Sequence, residues 1–146
     1  MRVVISAGGT GGHIYPAIAI INKIKSEEPN SEFLYIGTAD RMEKDLIPEL
    51  GIKYEEIKVS GLKRKLTLEN FKVLAQFLKA RNKCKKIIKD FDPDVVIGAG
   101  GYVTGPVIWA AKKLGKKTFI HEQNSVVGLS NKYLTKYADK VGVSFE

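Results

Sequence analysis

Residues 2–13 read RVVISAGGTGGH: an apolar run, Val3-Val4-Ile5, breaks into four glycines and a histidine. Two later stretches repeat the device. Residues 94–106 read DVVIGAGGYVTGP, and residues 116–124 read KKTFIHEQN. Each is a short apolar strand that runs into small or polar residues and then opens a helix. Continuous apolar strands of this kind belong to parallel sheets covered on both faces. In such sheets the carboxyl ends of the strands share one rim, and ligands bind there. Both histidines of the chain, His13 and His121, fall on that rim.

Working outward, strands are expected near 2–7, 32–37, 54–59, 94–99, 117–121 and 140–145, and helices near 14–27, 40–50, 67–89, 103–114 and 128–138. Six strands joined by helical crossovers predict an α/β fold, a Rossmann-like, doubly wound, six-stranded parallel sheet ordered 3-2-1-4-5-6. Strands 1 and 4 are then neighbours, and their glycine loops face each other across a crevice. Gly51 and Gly115 follow helices at positions that favour a left-handed backbone, and Pro93 ends the long helix. The 146 residues read as a single domain.

Composition narrows the classes. Apolar residues make up 44% and charged residues 27%, as in a soluble globular protein. Apolar runs such as Val107 to Ala111 fall far short of the ~20 residues that span a bilayer, and the N-terminal stretch Val3 to Ala7 gives way at once to glycines, unlike a signal peptide. One cysteine, Cys84, excludes an internal disulfide and fits a reducing cytosol. The net charge of +8 is local. Lys63 to Lys89 holds ten Lys and Arg against one acid, Glu69, and the rest of the chain is close to neutral. Such a segment points to an anionic surface.

The first loop, Gly8 to His13, suits phosphate or pyrophosphate, because glycines let backbone amides at a helix start approach anionic oxygens. A P-loop is excluded by His13 where Lys is needed. A dinucleotide fingerprint is excluded by the spacing and by Gly37-Thr38 where strand 2 should end in an acid. His13 sits at the first helical turn, whose positive end disfavours the imidazolium. It reads either as an acceptor for a substrate hydroxyl proton or as a helix-capping residue. In the second loop Pro106 and Thr104 suit a helix start, and Tyr102 places a ring and hydroxyl beside the cleft or half-buries it. His121, Glu122, Gln123 and Asn124 offer donors and acceptors for sugar hydroxyls, some of them bracing loops instead. Asp92-Pro93-Asp94 spells a metal–nucleotide pattern but falls at the start of strand 4, away from the rim, and no His/Cys metal spacing occurs; neither a metal nor a cofactor is expected. From Gly61 to Lys65 (GLKRK) the chain enters a basic helix with Leu68, Phe71, Leu74, Phe77, Leu78, Cys84 and Ile88 at helical spacing. With Trp109 this predicts an apolar patch ringed by lysine, suited to a membrane surface rather than to nucleic acid.

GGTGGH after strand 1, GGYVTGP after strand 4, HEQN after strand 5 and the following Gly128-Leu129-Ser130-Asn131-Lys132 together resemble the MurG family of bacterial glycosyltransferases of peptidoglycan synthesis. The resemblance runs from residue 2 to 146 and matches only the N-terminal half of a two-domain, GT-B-type enzyme. It implies transfer of GlcNAc from UDP-GlcNAc to the C4 hydroxyl of lipid I, making lipid II, with inversion, at the cytoplasmic face of the cell membrane. It implies donor contacts at Thr10, Gly11, Gly12 and Asn124 and a catalytic base at His13. The acceptor pyrophosphate region would include Gly9, His13, Gly100, Gly101, Tyr102, Thr104, His121, Glu122 and Gln123. The membrane contact would include Leu62, Lys63, Arg64, Lys65, Phe71, Leu74, Phe77, Leu78 and Trp109. The family's C-terminal, donor-binding domain lies outside these residues, so the domain is expected to be inactive alone. The alternative is a non-catalytic membrane-anchoring subunit that recruits a separate donor-binding polypeptide.

Overall fold

The structure, a computed structural model, describes residues 1–61 and 67–145. Six parallel strands, β1 (Arg2–Ser6), β2 (Glu32–Thr38), β3 (Lys53–Ile57), β4 (Val95–Gly98), β5 (Lys117–Glu122) and β6 (Lys140–Val143), lie in the order β3-β2-β1-β4-β5-β6. The helices are α1 (Gly11–Glu27), α2 (Glu43–Glu49), α3 (Glu69–Phe91), α4 (Thr104–Lys113) and α5 (Leu129–Leu134), the last continued by a 3₁₀ turn, Thr135–Tyr137. This is the expected doubly wound sheet in the expected order.

The unbroken apolar runs are explained by burial on two sides. Val3 and Ile5 pack with Ile14, Ala17 and Ile21 of α1 and Ile47 of α2. Val4, Val96 and Ile120 face the other way, against Ala80, Cys84 and Ile88 of α3 and Val107, Ile108 and Ala111 of α4. Burial raises the Cys84 thiol to about 12, so it is an inert core residue.

Register fixes where the loops emerge. Ser6 pairs with Gly98, the last residues of β1 and β4, so both strands end level on one rim. Helix α1 begins three residues before the apolar periodicity does. Thr10, extended at φ −145° and ψ 156°, accepts the His13 and Ile14 N–H groups at 3.0 and 3.2 Å, which winds Gly11 and Gly12 into the first turn. Glycine carries no apolar signal, and the start was therefore invisible to periodicity.

At the opposite rim the Asp92-Pro93-Asp94 stretch is engaged in structure. Asp92 ends α3 in the left-handed region at φ 51°, its N–H donating to Ile88 at 2.8 Å, and Lys116 Nζ donates to its carboxylate. The Asp94 carboxylate accepts the Arg2 N–H at 2.7 Å.

Candidate functional site

The two glycine loops meet in direct contact. The Gly8 N–H donates to the Gly100 carbonyl at 3.2 Å. The His13 ring lies against Gly100, and a β-carbon there would stand 2.4 Å from His13 Cδ2. Gly100 and Gly101 have φ of +111° and +89°, a region L side chains rarely enter. Neither a side chain nor an ordinary backbone could occupy this junction.

His13 is held by its Nδ1 atom, 3.2 Å from the Gly8 carbonyl oxygen and 3.5 Å from Thr10 Oγ1. A carbonyl oxygen only accepts, so this contact assigns the ring proton to Nδ1 and leaves the Nε2 lone pair open when the ring is neutral. The half-buried imidazole thus presents an acceptor at the loop junction. Beside it, Gly9, Thr10 and Gly12 are exposed, and the first-turn N–H groups of Gly11 and Gly12 precede the first intrahelical hydrogen bonds. Amides at a helix start next to an open imidazole nitrogen can bind an anion and receive a proton together.

The second loop divides its labour. Thr104 is buried, and its hydroxyl donates to the Gly101 carbonyl at 2.7 Å, so it closes its own turn rather than facing the cleft. Tyr102 is 60% exposed.

At the β5 end, Glu122 is 2% exposed and both of its oxygens are occupied. Oε1 accepts from Asn124 N and Nδ2, each at 2.9 Å, and Oε2 from Gly128 N and Asn131 Nδ2, each at 2.9 Å. Burial opposes the charge, but these hydrogen bonds outweigh it and hold the carboxyl below the usual range. Glu122 therefore shapes the loop. Asn124 spends both donors of that contact on Glu122 and keeps its side-chain oxygen. His121 and Gln123 line a groove of about 420 Å³ with Pro16, Ile20 and Ile24 of α1. His121 Nε2 lies 3.2 Å from Ser144 Oγ. The Gln123 amide is buried with no partner among the described residues, as is His121 Nδ1, a condition that bound water or a ligand relieves.

Leu68, just before α3, and Phe71, Leu74 and Leu78 on it form an exposed stripe, with Phe71 at 72% and Leu74 at 53%. Phe77 turns inward, its ring 3.3 Å from where a Gly105 β-carbon would sit. Trp109 is half-buried between α3 and α4, with the Arg81 guanidinium 4.3 Å above its ring. Leu62, Lys63, Arg64 and Lys65 lie outside the described residues.

The sequence model for the glycosyltransferase family 28 N-terminal domain matches residues 3–143. The chain belongs to glycosyltransferase family 28. It is 56% identical over all 146 residues to a transferase of Listeria welshimeri and 54% to one of Bacillus anthracis, each named UDP-N-acetylglucosamine–N-acetylmuramyl-(pentapeptide) pyrophosphoryl-undecaprenol N-acetylglucosamine transferase. The chain spans 40% of the length of each. Among solved structures, Acinetobacter baumannii MurG superposes with a TM-score of 0.84 at 32% identity, over 99% of this chain and 42% of that one. A UDP-GlcNAc 2-epimerase of Methanocaldococcus jannaschii shares the fold alone, at 20% identity and a TM-score of 0.64, over 97% of this chain and 38% of its own. The resemblance read from four motifs and the GT-B-type half-fold are thereby confirmed.

Two residues of this family 28 domain brace the site without having been singled out for it, Asn131 from within the Gly128–Lys132 motif and Glu43 from outside any motif. Asn131, 3% exposed, donates to Glu122 and to the His121 carbonyl at 3.2 Å. Glu43, fully buried, accepts the Thr38 hydroxyl at 2.6 Å and N–H at 3.2 Å, and its Oε1 lies 2.5 Å from where a Gly8 β-carbon would be. A glutamate at the start of α2 looks like any solvated helix residue in sequence, and only the tertiary fold brings it beneath the first loop.

Proposed function

We propose that the chain is the acceptor-binding, membrane-docking half of an inverting N-acetylglucosaminyltransferase. The donor is UDP-GlcNAc, and the acceptor is the C4 hydroxyl of lipid I, an undecaprenyl-pyrophosphoryl-MurNAc-pentapeptide. The product is lipid II for peptidoglycan. A second domain, in cis or in trans, completes the donor site, and the isolated half is inactive. The enzyme works as a peripheral protein on the cytoplasmic face of the bacterial membrane.

The observation that carries this reading is the open Nε2 of His13 at the junction of two glycine loops. Loop amides hold the acceptor pyrophosphate while Nε2 takes the proton from the C4 hydroxyl. The freed oxygen attacks the anomeric carbon of GlcNAc from the face opposite the nucleotide. The C1–O bond to UDP breaks, and its electron pair leaves with the phosphate. Asn124, with Thr10, Gly11 and Gly12, orients the donor, and the exposed α3 stripe docks the domain beside the lipid. Positioning and electrostatic stabilisation supply most of the rate.

Replacing His13 with Gln in the full-length protein keeps a side chain near the Gly8 carbonyl but removes the base. Turnover should fall by about 10²–10⁴-fold with acceptor KM little changed. An unaltered kcat would remove His13 from this role.

A further inference from the structure

Tyr102 does not stand alone beside the second glycine loop. Gly61, in the β3–α3 connection, lies directly on its ring. A β-carbon at position 61 would fall 2.5 Å from Tyr102 Cζ, 2.6 Å from Cε2 and 2.8 Å from the hydroxyl oxygen. The connection that carries Gly61 is anchored in turn, because Ser60 Oγ donates to Gln76 Oε1 of α3 at 3.1 Å. On the other side, Tyr102 follows Gly101, whose own β-carbon position is filled by Gly8. The tyrosine ring thus rests on Gly61, in the space a side chain there would fill.

This placement is not a requirement of the fold. Gly61 is not among the residues at positive φ, so any side chain could be accommodated by its backbone. Tyr102 is 60% exposed, so its ring is free to swing outward if pushed. The three atoms nearest a β-carbon at 61 all belong to that ring, so a small residue there makes its resting place. From this we infer that Gly61 is a positioning residue: it sets the Tyr102 hydroxyl beside the paired glycine loops, where it meets the acceptor pyrophosphate. The inference rests on the acceptor reading given above and adds to it a residue with no polar atom beyond its own backbone.

The test is a double-mutant cycle in the full-length protein with Gly61→Ala, Tyr102→Ala and the double variant. Affinity is read by sedimentation with phosphatidylcholine vesicles, with and without undecaprenyl pyrophosphate, and melting temperature is read in parallel. Gly61→Ala should leave the melting temperature unchanged and weaken pyrophosphate-dependent binding about fivefold to tenfold, the size of one lost hydrogen bond in the site. Tyr102→Ala should weaken it as much, and the double variant no further, since both changes remove the same contact. If wild type binds and Tyr102→Ala weakens binding while Gly61→Ala does not, the positioning role is wrong and the acceptor reading stands. Additive losses would overturn it equally, because two independent contacts would then be at work. Wild-type protein indifferent to the pyrophosphate lipid would overturn both readings.

Discussion

The carbonyl oxygen of Gly8 stands 2.4 Å from where a β-carbon of residue 101 would be, so the two glycine loops are in backbone-to-backbone contact. Side chains can yield to a neighbour, but a loop carbonyl whose own residue is hydrogen-bonded to Gly100 and whose oxygen meets His13 Nδ1 yields poorly. Gly9 makes the useful contrast. Its φ is +91°, close to the +89° of Gly101, yet nothing lies within 4 Å of its β-carbon position. Gly9→Ala should therefore cost only conformational strain, about 1–2 kcal/mol. Gly101→Ala adds a backbone clash and should cost about 3 kcal/mol or more. Urea denaturation of the two variants checks the difference; equal losses would mean the loops are not in contact.

That contact was legible in the sequence as a consequence of strand order. Once Val3-Val4-Ile5 and Val95-Val96-Ile97 are read as adjacent parallel strands, the loops after them must share a rim. What could not be read was which polar residues face a ligand. Glu122 and Thr104 have the chemistry of contact residues, yet the fold turns both into braces, through Asn131 and the Gly101 carbonyl. Glu43 was missed for the converse reason. Its hydrogen bonds reach only five residues back, to Thr38, but its place under Gly8 depends on long-range packing. Trp109 and Phe77 were expected in the lysine-ringed apolar patch, and α3–α4 packing draws both inward.

Glu122 gives the site a signature in pH. Its folded-state carboxyl is held below the usual range, so it loses protons more readily folded than unfolded. The stabilisation it contributes is complete above the unfolded value near 4.3. It fades as pH falls below that value and through the folded one. Glu122→Gln replaces one acceptor oxygen with a donor that faces N–H groups and should cost about 2 kcal/mol at pH 7. The gap between wild type and variant should shrink steadily once the pH drops below 4. Thermal melts from pH 7 to pH 3 check this, and a gap that widens in acid would show that the carboxylate is not what the loop requires.

The exposed stripe on α3 separates a docking face from an incidental one. Leu68 and Phe71 bury little in the fold and Leu74 keeps about half its surface exposed, so Phe71→Ser should leave stability within about 0.5 kcal/mol of wild type and Leu74→Ser should cost at most about 1 kcal/mol. If the stripe enters a bilayer interface, each should weaken partitioning onto phosphatidylglycerol vesicles about tenfold, the scale of one large apolar side chain left in water. Phe77→Ser should behave differently. Its ring packs against Gly105, so the fold should lose stability as well as membrane affinity. Salt adds an independent handle, because lysines beside the stripe, such as Lys72 and Lys79, act through a screened surface potential while the apolar residues do not. Raising ionic strength should therefore weaken wild type and Phe71→Ser by the same factor. Vesicle partitioning of Phe71→Ser equal to wild type at every salt concentration would assign the stripe to some other partner.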